Sequence, residues 1–385
     1  MGSQILIFMF TQFGCHQQII DDTSNLSDTG TVADAHVSQE PSDDVYDSEN
    51  VEQDDTNLPS NFDISNYSSG VYTFAGSGEM IGLDGNGVQA SFAEPTFLRT
   101  SHDGSVYILD RSSKKLRSMT GDGTVRTISF QGPQPNDPVG IAVHENGDVY
   151  ISSSDEHCIY KIQDGLSSVF AGTCSTSNQN GSGYQDGAVA QFSYPKEISF
   201  DLNGNLIVAD SGNSRIRMIE STGLTSTIAG ADIYGTISDG PALSSIAYFP
   251  TSVTVDANNV IYFAGMDNCI RRLIDGNIET VAGLCQNYSN TGTIDGPALE
   301  AKFDNPRGLH FNEQQELMIV DATNDRIRIL SEDKTSISTL TGESFGFLDG
   351  SLESALFAYP SSIISIDGGY LVTDSMNNRI RLIVP

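Results

Sequence analysis

Five cysteines are the residues of this 385-residue chain with the clearest potential for chemistry. Four of them form two pairs with the same sixteen-residue spacing, Cys158 with Cys174 and Cys269 with Cys285. A spacing repeated in this way predicts two equivalent disulfides, and the alternatives are reduced thiols or metal ligands. Disulfides persist in oxidising compartments, so this pairing predicts an exported protein. Cys15 is left over as the odd cysteine.

Charged residues at corresponding positions of a sequence repeat are the second candidate for chemistry. Most copies of the repeat carry small or apolar residues just after a recurring proline, as at Val139-Gly140 and Thr251-Ser252. The charged exceptions are Arg99, Lys196, Glu197, Arg307 and His310. If the repeats surround a central channel, charges at its mouth could bind a polar ligand or a peptide end. The alternative is that these charges are solvated residues of the rim. We predict that these five residues form a ligand-contacting rim.

The six histidines do not predict a zinc centre. Such a centre needs three histidines, or histidine with cysteine or glutamate, converging on one point. His16 and His36 precede the repeats, and no three of the remaining histidines occupy equivalent positions within them. We therefore predict no cofactor and no metal ligand set.

The elements that must position these residues follow from the repeat, which begins at residue 69. Each copy reads proline, apolar strand, turn, apolar strand, Asp or its substitute, then Arg-Ile-Arg or its substitute. The copies begin at Pro95, Pro138, Pro195, Pro250, Pro306 and Pro360. A fourth strand follows each of the first five copies, at 125–130, 166–172, 225–230, 278–283 and 337–342. Units of four strands and roughly 40 to 60 residues are typical of β-propeller blades.

The sixth copy ends at Pro385 without a fourth strand, and a matching strand stands at 71–76, ahead of the first copy. A propeller leaves no half-finished sheet when its first strand completes its last blade. We therefore predict that residues 69–385 form an all-β, six-bladed propeller closed by the N-terminal strand.

The repeated lines resemble the NHL-repeat family, most clearly at 208–217 (VADSGNSRIR) and 372–381 (VTDSMNNRIR). The resemblance covers residues 71–385 and implies the propeller fold. It does not imply one activity, because the family includes scaffolds as well as enzymes. Some NHL-like propellers are zinc-dependent amidating lyases, and related propellers are calcium-dependent lactonases.

Two polar features recur within the repeats. An aspartate precedes a basic residue by five positions in four blades, which predicts an ion-pair clasp: Asp110 with Lys115, Asp210 with Arg215, Asp321 with Arg326, and Asp374 with Arg379. In blades two and four, Cys158 and Cys269 occupy the basic position. Asp-Gly steps precede five of the prolines, at Asp84, Asp186, Asp239, Asp295 and Asp349. We interpret these steps as turns, with Phe92, Phe192, Phe303 and Phe357, three residues before four of the prolines, wedged between blades; a Ca²⁺ loop is the alternative.

The first 68 residues differ from the repeats in composition. An apolar run at 5–10 followed by Gly14-Cys15 looks like a bacterial lipoprotein signal, which predicts that Cys15 is a lipid anchor; an ordinary signal peptide is the alternative. Residues 16–68 carry 13 acidic groups and few apolar ones. Such a segment cannot bury enough apolar surface to order itself, so we predict a disordered acidic tether.

The overall charge restricts the function. A formal charge of −31 argues against nucleic acid and against a polybasic hold on anionic lipid. No apolar run reaches the ~18 residues of a membrane-spanning helix. The favoured hypothesis is a monomeric, envelope-tethered propeller that binds a protein, peptide or glycan through its rim. The alternative is a metal-dependent lyase or hydrolase with its site in the channel, and a structural module of a surface assembly is a third.

Overall fold

Short runs of β-branched and aromatic residues fold as strands throughout the described part of the computed structural model. That part comprises residues 62–175, 181–231, 239–285 and 290–385. The predictions for the signal segment, for Cys15 and for most of the acidic tether lie outside the described residues. Within them, no helix has the length and apolar character needed to cross a membrane.

The strands form six antiparallel sheets, each begun by one of the repeat prolines. Blades one to three contain Pro95–Thr100, Val106–Asp110, Lys115–Met119 and Thr124–Ile128; Pro138–Val143, Val149–Ser153, Cys158–Gln163 and Leu166–Gly172; and Pro195–Phe200, Leu206–Asp210, Arg215–Ile219 and Thr225–Ala229. Blades four and five contain Pro250–Val255, Ile261–Gly265, Ile270–Ile274 and Asn277–Ala282; and Pro306–Phe311, Leu317–Asp321, Arg326–Leu330 and Ser336–Thr341. Blade six contains Pro360–Ile366, Gly369–Asp374, Arg379–Val384 and Gly70–Ala75.

Short elements complete the blades. Two-residue strands add an outer edge to blades one, four and five, at Gly85–Asn86, Gly240–Pro241 and Gly296–Pro297. Three-residue 3₁₀ turns lie at Gly87–Gln89, Ser211–Asn213, Ala298–Glu300, Ala322–Asn324 and Ser375–Asn377.

The ring closes as predicted. Gly70–Ala75 pairs antiparallel with Arg379–Val384, with Val71 opposite Ile383, and forms the outer strand of blade six. Each innermost strand contacts the next one around the axis, and the innermost strand of blade six contacts that of blade one. The prediction of an all-β, six-bladed propeller closed by its N-terminal strand is confirmed.

The ion-pair clasp was predicted with the wrong basic residue. The buried arginine follows the strand-end aspartate by seven positions and not by five. The pairs and their N–O distances are Arg117–Asp110 at 3.1 Å, Arg217–Asp210 at 2.7 Å, Arg328–Asp321 at 2.8 Å and Arg381–Asp374 at 2.6 Å. Arg215 lies opposite Asp210 in the strand register, but its Nη1 donates to the carbonyl of Asn213. Arg217 lies two residues further along the same strand face, and its guanidinium extends back to Asp210.

The Asp-Gly steps bind the other side of the same arginines. Their N–O distances are Arg117–Asp84 at 2.9 Å, Arg217–Asp186 at 2.7 Å, Arg328–Asp295 at 2.5 Å and Arg381–Asp349 at 2.6 Å. Each guanidinium also lies 5.0 to 5.4 Å from the ring of the phenylalanine that precedes the proline by three. Phe92 packs among residues of blades six and one, as the interpretation of a wedge between blades expected. Four of the five Asp-Gly carboxylates are thus structural partners of arginine, whereas Asp239 accepts hydrogen bonds from the backbone N–H and hydroxyl of Thr280.

Disulfides join Cys158 to Cys174 and Cys269 to Cys285, with Cα–Cα distances of 5.1 and 5.6 Å. Both pairings predicted from the spacing are confirmed, and both distances lie in the usual range for disulfides. Blade four also has a buried arginine, Arg271, which binds Asp267 at 2.5 Å because Gly265 stands where blades one, three, five and six have aspartate. The disulfides therefore tie the third strand to the end of the fourth in the two blades that lack the strand-end aspartate.

Candidate functional site

The residues that precede the six prolines surround one opening of the channel, which we call the entrance. Five of them have positive φ, with values of 61° for Glu94, 49° for Tyr194, 39° for Phe249, 54° for Asn305 and 53° for Tyr359. Non-glycine residues seldom adopt this conformation, and it persists only where the surrounding structure holds it. Each of these backbone N–H groups donates to a side chain of the preceding blade: Asn378, His157, Ser214, Asn268 and Asp325, respectively. The entrance residues are therefore held in place by bonds between blades.

The entrance has two chemically different halves. Tyr194, Phe249 and Tyr359 give blades three, four and six an aromatic residue there, and the side chain of Tyr194 is 41% exposed. Glu94 and Asp137 give blades one and two an acidic residue at the same position. Arg111 binds both of these carboxylates, with N–O distances of 3.4 and 2.8 Å.

Lys196 and Arg307 stand one residue inside the entrance, each directly after its proline. The guanidinium of Arg307 lies 4.9 Å from the ring centre of Tyr359, whose hydroxyl accepts a hydrogen bond from Asn305 at 2.6 Å. Burial and the positive charges of Arg307 and Arg111 lower the pKa of Lys196 to about 8, against the opposing effect of Asp137 and Asp155. Among the described residues, no side chain accepts a hydrogen bond from the Lys196 ammonium or the Arg307 guanidinium.

Deeper in the channel, Arg99 of blade one binds Glu197 of blade three, with an N–O distance of 2.5 Å. Glu197 is fully buried, and its other oxygen accepts hydrogen bonds from the hydroxyl of Ser252 and the backbone N–H of Val253 in blade four. Burial raises the pKa of Glu197, and Arg99 opposes this effect. One carboxylate thus links three blades.

Blade two makes room for this contact with Gly140. A Cβ atom at Gly140 would lie 2.5 Å from the carbonyl oxygen of Lys196 and 2.9 Å from the Cα of Glu197. The absence of a side chain therefore lets the innermost strands of blades two and three approach closely.

His310 occupies the same position in blade five that Arg99 occupies in blade one, four residues after the proline. Its Nε2 accepts a hydrogen bond from the backbone N–H of Ser365 in blade six at 3.0 Å and lies 2.9 Å from the Ser365 hydroxyl. Burial, with the charge of Arg99, lowers the pKa of His310 to about 4. At neutral pH this histidine is a neutral hydrogen-bond acceptor that joins two blades.

We expect the substitution His310→Gln to reduce the decrease in the free energy of unfolding that occurs as the pH falls. An unfolded histidine has a pKa near ~6.5. Between about pH 6.5 and 4, His310 is therefore protonated in the unfolded chain but not in the folded protein. The free energy of unfolding falls as the pH falls through this window. The loss amounts to roughly 1 to 3 kcal/mol after allowance for solvent screening. Glutamine can still accept from Ser365 but does not titrate.

The measurement is the free energy of unfolding by urea at pH 7.5 and pH 4.5. The difference between the two pH values should be smaller for His310→Gln than for the wild type. Raised carboxyl pKa values, such as that of Asp210 at about 6 owing to burial, act in the opposite direction but are common to both proteins. His102→Gln, at an exposed position, controls for the loss of a histidine as such. Parallel profiles for wild type and His310→Gln would contradict the prediction.

The five residues predicted as a rim divide into two groups in the structure. Lys196 and Arg307 lie at the entrance. Arg99, Glu197 and His310 lie deeper and are engaged in contacts between blades, with Glu197 fully buried rather than exposed on a rim. The sequence reasoning missed the entrance aromatics, although their position directly before each proline was a usable signal. In the described part of the chain, no three His, Cys, Asp or Glu side chains are grouped as a metal site.

The sequence reasoning also overlooked a Gly-x-Ser-x-Gly pattern at residues 342–346. In an α/β-hydrolase this pattern places the serine on a sharp turn between a strand and a helix. Here Ser344 is exposed on the segment that follows the strand Ser336–Thr341, and no helix follows it. The pattern does not form a nucleophile elbow in this fold.

Comparison with known proteins supports the fold more strongly than a function. No protein-family model matches the chain. It is 28% identical over 297 residues to SUPPRESSOR OF QUENCHING 1, chloroplastic, of Arabidopsis thaliana, covering 69% of this chain and 27% of that protein. It is 26% identical over 370 residues to Teneurin-1 of Caenorhabditis elegans, covering 81% and 13%. NHL repeat-containing protein 2 of Gallus gallus is 25% identical over 136 residues, covering 32% and 19%. The chain thus spans less than a third of the length of these relatives.

Solved structures share the propeller architecture at low sequence identity. A protein of unknown function from Bacteroides thetaiotaomicron matches with a TM-score of 0.64 and 20% identity, covering 82% of this chain and 76% of that one. An auxiliary nutrient binding protein from Bacteroides ovatus matches with a TM-score of 0.64 and 17% identity, covering 83% and 77%. The chain is therefore a six-bladed β-propeller with a weak similarity to NHL-repeat proteins.

Proposed function

We propose that this chain is an extracytoplasmic binding module that holds a protein, peptide or glycan ligand at the propeller entrance. The observation that carries the proposal is the contrast between two layers of the channel. The deeper polar side chains of Arg99, Glu197 and His310 bind one another or their neighbouring blades. At the entrance, charged and aromatic side chains instead remain available to a ligand.

The scaffold suits such a role because its entrance is held in advance. The backbone N–H bonds between blades restrain the entrance residues before any ligand arrives, so little ordering remains to oppose binding. Aromatic faces beside a few polar groups are typical of ligand sites on proteins. A bacterial structure of the same architecture is called an auxiliary nutrient binding protein, which agrees with a binding role.

The proposed location rests on the cysteines. Two disulfides imply folding in an oxidising compartment. Cys15 would then carry a lipid, and the acidic segment 16–68 would act as a self-repelling leash between the membrane and the propeller. Fractionation of cells that produce the full chain, with metabolic labelling by a fatty-acid analogue, tests this part. Label that persists in a Cys15→Ser variant would exclude the anchor.

Binding is tested by screening the full chain against immobilised peptides and glycans. For a ligand captured at the entrance, Tyr194→Ala and Tyr359→Ala should each weaken binding by about 10-fold, because each removes an aromatic contact face. Tyr184→Ala is the matched control, since Tyr184 is 48% exposed but stacks on Arg215 at the outer part of blade three. Equal effects of all three variants would contradict the entrance as the site. A stoichiometric divalent ion in the purified protein would favour the lyase or hydrolase alternative.

A further inference from the structure

We infer that Lys196 and Arg307 form a carboxylate-binding site, and that the ligand carries one carboxylate next to an apolar or ring-shaped face. This inference rests on the proposed function and specifies the chemistry of the group that enters first.

The two cations stand out against the charge distribution of the chain. The protein has 19 basic residues against 50 acidic ones. Its five fully buried arginines each bind an aspartate: Arg117, Arg217, Arg271, Arg328 and Arg381. Lys196 and Arg307 are also partly buried, yet neither forms an ion pair with a described residue. The Nε of Arg307 is buried without a hydrogen-bond partner in the described structure, as are those of the paired Arg117, Arg217 and Arg381, so the missing ion pair is what distinguishes Arg307.

Neighbouring acids do not supply the missing partner. Asp137 is held by Arg111 at 2.8 Å, and Glu94 is bound by the same arginine. Asp155 acts on Lys196 only through its charge and is itself exposed. The positive charge of Arg307 acts on the partly buried Lys196. An anion at the entrance offsets both this repulsion and the desolvation of the two cations.

The shape of the site favours a carboxylate. The guanidinium of Arg307 has one face covered by Tyr359, which leaves its donor-bearing edges for an acceptor. A planar guanidinium edge matches the two oxygens of a carboxylate, and a lysine ammonium adds a third donor. Tyr194 and Tyr359 stand beside the pair and offer ring faces to the remainder of the ligand. A peptide C-terminus with an apolar last residue and a uronic acid both have this chemistry.

The test uses the lysines as reporters, since the full chain contains only six of them. Reductive methylation with ¹³C-formaldehyde keeps their charge and gives one signal for each, and Lys196→Arg assigns the signal of Lys196. The probes are N-acetylphenylalanine with its amide, glucuronate with glucose, and inorganic phosphate. The acid of at least one pair should shift the Lys196 signal with saturation, while its neutral partner should not. The pair that responds identifies the source of the carboxylate as peptide or sugar.

Arg307→Gln should weaken that binding by about 10-fold, as expected for loss of a charge-assisted hydrogen bond. Lys302→Gln also removes one positive charge, in the segment that precedes blade five, and should leave the affinity unchanged. Unfolding temperatures confirm that each variant is folded. Equal responses to acid and neutral probes, a response to phosphate alone, or an unchanged affinity in Arg307→Gln would overturn the carboxylate site. If library ligands still bind at the entrance in that case, the proposed function stands; if nothing binds there, both fail.

Discussion

Replacing Arg99 by methionine should lower the free energy of unfolding by about 3 to 5 kcal/mol, although Arg99 is a partly exposed residue near the channel axis. The reason is its partner. Glu197 is fully buried, and removal of Arg99 leaves that carboxylate with Ser252 and Val253 as its remaining partners. An uncompensated buried charge is among the most destabilising changes that a single substitution can cause.

The pH dependence of this loss has a defined sign. Burial already raises the pKa of Glu197, and removal of Arg99 raises it further. A carboxyl group that holds its proton more tightly when folded favours folding as the pH falls. The loss in Arg99→Met relative to the wild type should therefore be greatest at neutral and alkaline pH and should shrink as the pH falls below the pKa of Glu197 in the folded variant.

A double-mutant cycle isolates the pair. Glu197→Gln removes the charge but keeps an acceptor for Ser252 and Val253, so the combination with Arg99→Met should be more stable than Arg99→Met alone. The free energies of unfolding from urea titration of the four proteins give the coupling. Additive losses, or a difference in stability between Arg99→Met and the wild type that does not change with pH, would show that the two groups do not depend on each other.

Arg328→Met should also lower the free energy of unfolding, by about 3 to 5 kcal/mol, whereas Arg326→Met should change it by less than about 1 kcal/mol. Arg328 is fully buried between Asp321 and Asp295, at 2.8 and 2.5 Å, and donates to the carbonyl oxygens of Lys302 and Ile294. Without Arg328, one buried carboxylate loses its counter-charge and two carbonyl groups lose a hydrogen-bond donor. Arg326 donates one hydrogen bond, to the carbonyl of Glu343 at the surface.

Arg326 and Arg328 are two residues apart on one strand, so Arg326→Met is a closely matched control for Arg328→Met. Methionine keeps much of the aliphatic volume in both cases. Urea unfolding at pH 7 measures the difference. A larger loss for Arg326→Met would restore the pairing that the five-residue spacing had indicated.

Much of the architecture was predictable because it depends on patterns of residues that are close together in the sequence. The prolines, short apolar strands and Gly- or Asn-containing turns repeat, and each copy makes the same blade. The surplus strand before the first copy and the missing one after the last predicted the closure between Gly70–Ala75 and Arg379–Val384. The cysteine spacing predicted both disulfides because a β-hairpin brings the two positions together within one blade.

The ion-pair clasp is a feature that local sequence patterns did not predict correctly. Asp210 and Arg215 are directly opposite in the strand register, as the spacing indicated. The choice of Arg217 instead depends on Asp186, which a loop from the preceding blade places on its other side. The Asp-Gly step recurs before the prolines, but a spacing rule within one strand pair does not show that this second carboxylate faces the same arginine.

By itself the sequence determined the number of blades, the way the ring closes and the sulfur bridges, since each depends on contacts within a blade or on the count of identical units. Only the tertiary structure decided which channel charges meet. Arg99 and Glu197 are 98 residues apart and belong to blades that are not neighbours. They bond because six innermost strands converge on one narrow axis, where separation along the chain no longer limits distance. The same convergence places Lys196 and Arg307 at the entrance, where neither forms an ion pair with a described residue.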